Sequence, residues 1–131
     1  MSERFSHPLT ATQADIDDLG HVSNLVYLRW VLEAATAHSV ARGWGQQEYF
    51  DIGSVWVVRR HELDYLAQVK VGDSLVAQTW VDSWKSASCI RKTEIIREHI
   101  VVLRAATTWA FMSMTSGRPQ RIDERVRASF P

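Results

Sequence analysis

The chain has 131 residues and a formal net charge of zero, with 46% hydrophobic and 23% charged residues. That length holds one domain, residues 1–131, with a real core and little room for a second. The balanced charge argues against a nucleic-acid groove or a membrane-surface field and is compatible with self-association. The single cysteine, Cys89, excludes an internal disulfide or a multi-cysteine metal site, and it reads as a small strand residue. No apolar run reaches the roughly 18 residues of a spanning helix. Met1 to Pro8 lack the pattern of a signal peptide, so a cytoplasmic protein is expected.

In chain order, Leu9 to Ala14 reads as a short first strand and Ala14 to Ser23 as a loop. A helix is expected to start at Ser23 or Asn24, both good N-cap types. Its apolar positions Leu25, Leu28, Val31, Leu32, Ala35 and Val40 follow three-four spacing, and Gly43 and Gly45 mark its end. The helix is unusually apolar and alanine-rich, as expected if a sheet wraps around it. Strands follow. In Ile52 to Leu66, Arg60, Glu62 and Asp64 alternate with His61, Leu63 and Tyr65. After a turn at Val71–Ser74, Leu75 to Trp84 places Leu75, Ala77, Thr79 and Val81 on one side. A second turn at Trp84–Ser88 leads to the long strands Cys89–Glu98 and Ile100–Met114, joined tightly near His99. Trp56, Trp80, Trp84 and Trp109 fall in strand-like segments, where aromatics are favoured. Ile122 to Phe130 reads as a short helical tail with Asp123 as its cap. One helix over hairpin-linked strands predicts a two-layer α+β arrangement.

The chemistry-bearing residues gather at Asp15–Trp30, where Asp15, Asp17, Asp18, Gly20, His21 and Asn24 precede or open the helix. A carboxylate and an imidazole beside a helix N-terminus can act as nucleophile, acid or base. The first helical N–H groups offer partial positive charge to an oxyanion. That combination suits attack on a carbonyl. A thioester carbonyl is already electrophilic, so a placed carboxylate and a stabilised oxyanion are enough, and no metal is required.

Asp17-x-x-Gly20-His21-Val22-x-Asn24-x-x-Tyr27 resembles the signature of the hotdog-fold acyl-thioesterases, in the 4-hydroxybenzoyl-CoA thioesterase-like group that includes the acyl-ACP thioesterases. Arg59–Leu66 with Val71-Gly72-Asp73 is similar to that family's second strand and turn, and Gly117–Ile122 to its closing segment, so the resemblance spans nearly the whole chain. It implies a hotdog fold, a long central helix wrapped by about five antiparallel strands. It also implies hydrolysis of an acyl-CoA, or of an acyl-ACP, to an acid and a free thiol, in a dimer or tetramer with sites shared between subunits. Coenzyme A enters as part of the substrate, and no separate cofactor, nucleic acid or membrane is expected.

By that resemblance Asp17 is the catalytic carboxylate, as nucleophile or general base, and His21 assists by bonding the carboxylate, orienting water or protonating the leaving thiolate. The acyl-ACP branch carries an asparagine between the acid and the histidine. Leu19 stands there instead, which favours an Asp-centred site. Gly20 permits a sharp turn or close approach of substrate. The N–H groups around His21 and Val22 are the expected oxyanion hole. Asn24 is either a plain N-cap or a polar contact to substrate or Asp17. Tyr27, one helical turn on, lines the acyl pocket or packs. Ser23 replaces an asparagine frequent in the family, and Glu33 reads as a surface or paired residue. Arg59, Arg60, Arg91, Lys92 and Arg118 are candidates for the CoA phosphates and equally for an acidic carrier protein. Two other readings are a hotdog hydratase or dehydratase, against which the Gly-His-Val-x-Asn string argues, and a non-catalytic acyl-binding subunit, against which the intact Asp17 argues.

Overall fold

A computed structural model describes residues 2–131; Met1, the first residue of the expected domain, lies outside the described residues. Five antiparallel strands form one sheet: β1 (Phe5–Thr10), β2 (Ser54–Tyr65), β3 (Ser74–Trp84), β4 (Ser88–Arg97) and β5 (Ile100–Ser113), in the spatial order β1-β3-β4-β5-β2. The long helix α1 (Asn24–Ala41) lies on one face, followed by α2 (Gln46–Asp51), and α3 (Glu124–Ala128) closes the chain. The expected α+β hotdog arrangement is present.

The hairpin strands follow their sequence signals. In β3, Leu75, Ala77, Thr79 and Val81 are buried and alternate with exposed or half-buried residues. The β4–β5 turn consists of Glu98 and His99, with Arg97 opposite Ile100. Asp123 caps α3 by accepting from the Arg125 N–H at 2.8 Å.

Three expectations are corrected. The first strand is Phe5–Thr10, not Leu9–Ala14, and residues 13–15 form a short 3-10 turn. Pro8 interrupts a strand pattern, yet β1 is an edge strand pairing only β3, where a residue without an N–H is tolerated. The buried stripe of α1 is Val26, Tyr27, Trp30, Val31, Ala34, Ala35 and His38, rotated from the expected one. Leu25 is 74% and Val40 56% exposed. A helix this apolar carries several three-four series at once, and tertiary packing decides among them. Finally, α2 was not expected. It has only six residues and opens at Gly45, whose N–H is capped by the Glu48 carboxylate at 2.9 Å.

The interior divides along α1. Trp30, Val31 and Ala34 pack with Leu75, Ala77, Ile95 and Leu103 in one cluster. Tyr49, Val81, Cys89, Phe111, Ile122, Val126 and Phe130 form another, ringed by Trp44, Trp56, Trp84 and Trp109.

Candidate active site

The loop before α1 is fastened at both ends. Ile16 bridges Val22, the Asp17 N–H donates to the His21 carbonyl at 2.8 Å, and the Ser23 N–H donates to the Asp15 carbonyl at 2.9 Å. Gly20 adopts φ +80° within this turn, and a side chain there would meet nothing within 4 Å. The glycine is therefore required by backbone conformation and not by close approach. Asp15 is buried: it accepts from the Thr12 N–H at 2.9 Å, the Thr12 hydroxyl at 3.1 Å and Arg29 Nη2 at 2.8 Å. Burial pushes its carboxyl up, but the Thr12 N–H and the Arg29 guanidinium outweigh that and hold it below the ordinary value. Asp15 thus ties the loop to the helix, and Arg29 also pairs with the exposed Glu33 at 3.3 Å, as expected of that residue.

Asp17 is exposed. Its Oδ1 accepts from the N–H groups of Leu19 at 2.9 Å and His21 at 3.3 Å, which fixes the carboxylate over the turn. The link between Asp17 and His21 runs through backbone, not through the imidazole. With Val22, Asn24 and Tyr27 they line a cleft of about 520 Å³. The opposite wall is Tyr65, Leu66, Ala67 and Gln68 from the end of β2 and the segment after it. Sequence reasoning did not assign these four residues to the site. Only Tyr65 and Leu66 fell within a resembling motif, and nothing in their types marks them. Two hydrogen bonds join the walls: the Val22 N–H donates to the Val69 carbonyl at 3.0 Å, and the Tyr65 hydroxyl to the Asn24 carbonyl at 3.5 Å. Tyr27 both lines and packs. It is 5% exposed and meets Trp30 and Tyr65 edge-on at 5.5 Å each.

The expected oxyanion donors need correction. The His21 N–H is taken by Asp17 and the Val22 N–H by Val69. Ser23 is the N-cap, accepting from the Leu25 N–H at 3.3 Å, so Asn24 is not the cap but the first helical residue. Its N–H has no acceptor among the described residues, as the first donor of a helix should not. This donor, at the positive end of α1 and on the cleft, is the one left to meet an oxyanion.

The basic candidates do not gather at this cleft. Arg91 is a correction: it is 7% exposed and sits inside the opposite end of the molecule, so it cannot contact a phosphate at the cleft mouth. Arg60 pairs with Glu62, and Lys92 with Asp82 at 3.7 Å. Arg59 reaches Met112 Sδ at 3.9 Å, and Arg118 lies in the exposed turn after β5. Among the described residues no group of His, Cys, Asp and Glu could hold a metal ion, and no helix is long and apolar enough to cross a membrane.

Residues 11–130 match the sequence model of the thioesterase-like superfamily. The chain is 24% identical over 127 residues to an acyl-CoA thioesterase, YbgC, of Haemophilus influenzae, covering 96% of this chain and 93% of that one. Among solved structures, it is similar to a 1,4-dihydroxy-2-naphthoyl-CoA thioesterase from Synechocystis, with TM-score 0.89, 16% identity, and 97% and 95% of the two chains covered. It is also similar to a Staphylococcus aureus protein solved in complex with CoA, with TM-score 0.92, 13% identity, and 98% and 82% covered.

Proposed function

The chain belongs to the thioesterase-like superfamily, and we propose that it hydrolyses an acyl-CoA thioester to a carboxylic acid and free coenzyme A. The observation that carries this reading is an exposed Asp17 carboxylate, oriented by two backbone N–H groups, in one cleft with the unsatisfied first N–H of α1. The thioester carbonyl oxygen accepts from the Asn24 N–H, where developing negative charge meets the helix dipole. Asp17 either attacks the carbonyl carbon, expelling the thiolate and leaving a mixed anhydride that water then hydrolyses to the acid, or takes a proton from a water that attacks in its place; His21, which lines the same cleft, protonates the departing thiolate. The aromatic wall of Tyr27 and Tyr65 receives the acyl group.

We read residues 1–131 as one catalytic domain. The exposed Arg59, Arg60, Lys92 and Arg118 are the groups available to the CoA phosphates or to an acidic carrier protein. β2 is an open edge strand of twelve residues, and a second copy paired there brings further residues toward Tyr65. The support for this pairing is the open edge and the 74% exposure of Leu25.

The test is thiol release, followed with a chromogenic thiol reagent, from short, medium, long and aromatic acyl-CoAs and from an acyl carrier protein. Light scattering of the same preparation reports the oligomer. Turnover of at least one acyl-CoA is expected. Folded protein that releases thiol from the carrier-protein substrate alone moves the substrate assignment, and release from none overturns the reading.

A further inference from the structure

A second cavity lies at the other end of α1, about 20 Å along the helix from Asn24 at 1.5 Å per residue. Its volume is about 440 Å³, and its wall includes the aromatic residues Trp44, Trp56, Trp84, Trp109, Tyr49 and Phe130. That volume is in the range of small-molecule sites. One charged group belongs to this apolar wall, Arg91.

Arg91 has no counterion. Its Nη1 donates to His38 Nδ1 at 2.8 Å and to Thr79 Oγ1 at 3.2 Å, and no carboxylate pairs with it among the described residues. A guanidinium only donates, so His38 Nδ1 is the acceptor, the ring is neutral, and its proton sits on Nε2, which is buried without a partner. Burial first, then the charges of Arg91 and Arg42, hold the imidazole at about 4, with Glu3 acting weakly the other way. The other acids of the wall are silent: burial pushes the Cys89 thiol up to about 11, and burial raises Tyr49, whose hydroxyl bonds Ser39 Oγ at 3.0 Å. The Phe130 ring, 5.7 Å from the guanidinium carbon, offers only partial compensation. A buried cation without an anion is costly. Nearby, Trp109 sits directly across from Cys89 on the sheet face that Arg91 shares, and its indole N–H is buried without an acceptor.

We propose that this cavity binds a small carboxylate with an apolar body. The carboxylate is held by the free edge of the Arg91 guanidinium and the Trp109 N–H, and the body lies against Trp44, Trp56 and Tyr49. Both Nη1 bonds go to His38 and Thr79, which leaves the Nε–Nη2 edge for bidentate carboxylate recognition. Two sources supply such a ligand: a free acid, or the distal carboxylate of an acyl thioester. The site stands whether or not Asp17 cleaves thioesters.

The test is calorimetric titration of the whole protein with benzoate and octanoate, and with benzamide and octanamide as uncharged controls. The acids are expected to bind at least about tenfold more tightly than the amides, the size of a hydrogen bond to a charged group. Arg91→Met should abolish that preference and Arg91→Lys should restore part of it. Trp109→Phe, which keeps an aromatic ring, should weaken the acids more than the amides, and Asp17→Asn should leave acid binding unchanged. Should Arg91→Met not fold, the acid-to-amide ratio in wild type and its fall in Trp109→Phe decide. Equal binding of acids and amides, or acid binding that survives Arg91→Met or disappears in Asp17→Asn, overturns the proposal. A second arm separates the sources. If Arg91→Met lowers turnover of hexadecanedioyl-CoA, whose chain is long enough to span the two sites, relative to hexadecanoyl-CoA, the carboxylate arrives on the substrate. If it only removes inhibition by benzoate, the ligand is the free acid.

Discussion

At its N-terminal end α1 faces an open cleft where Asp17 is exposed and held by backbone N–H groups. At its C-terminal end the same helix faces an aromatic cavity where Arg91 is 7% exposed and held by an uncharged histidine and a threonine. In the cleft the charged group is open to water, and the chemistry proposed for it rests on its placement. In the cavity the charge is stripped of water, so its presence destabilises the fold unless an anion meets it. One helix thus has charges of opposite sign at its two ends, one open to water and one shielded from it.

The largest effect expected on stability comes from truncating either half of the core. Trp30 is 2% and Phe111 0% exposed, and replacing either with Ala should cost about 3–5 kcal/mol in chemical denaturation. Function should split where stability does not. Trp30→Ala, which removes the ring packed on Tyr27, should impair thioester turnover, and Phe111→Ala, which removes the ring against Trp56, should impair carboxylate binding. Equal damage by both variants to both functions would erase the distinction between the two ends.

Next comes the pH dependence of the C-terminal end. His38 titrates near 6.5 when unfolded and at about 4 when folded. Above pH 6.5 both states are neutral and nothing is lost. As pH falls from 6.5 towards 4 the unfolded chain takes up a proton that the folded one refuses, so stability declines. Below about 4 the loss is complete, at about 3 kcal/mol from about 1.4 kcal/mol per unit. Denaturation midpoints between pH 7 and 4 should show this slope for wild type and a shallower one for His38→Gln. An identical slope in the variant would place the proton uptake elsewhere. The smallest effect belongs to the helix start: Ser23→Ala removes the cap and should cost about 1 kcal/mol. A fall in turnover larger than that loss explains would tie the cap to the placement of the Asn24 N–H.

The cleft was largely legible in the sequence because its parts are local. Asp17, Gly20, His21, Asn24 and Tyr27 lie within eleven residues, and their types announce a turn, a cap and a helix start. Its far wall was not, since Tyr65 to Gln68 reach the cleft only through strand pairing and the bond from Val22 to Val69. The oxyanion donors were misplaced because a cap at Ser23 and an N–H taken by Asp17 are matters of hydrogen-bond direction. The cavity was wholly invisible. Arg91 sits in a strand pattern that reads as exposed, and its burial follows from register: it lies opposite Val81 on β3 and Thr107 on β5, both on the inner face. The orientation of α1 was lost for a similar reason, since Leu25 and Val26 are interchangeable by hydropathy and only the sheet beneath selects one.

The most direct measurement is the turnover of Asp17→Asn against wild type on the best acyl-CoA substrate, with a thermal melt of both proteins beside it. The exposed position of Asp17 and the acceptor oxygen kept by asparagine predict an unchanged melt. Loss of the reacting carboxylate predicts a fall in kcat of at least about a hundredfold. A variant that melts like wild type and still turns over within a few-fold of it would contradict the assignment of the chemistry to Asp17.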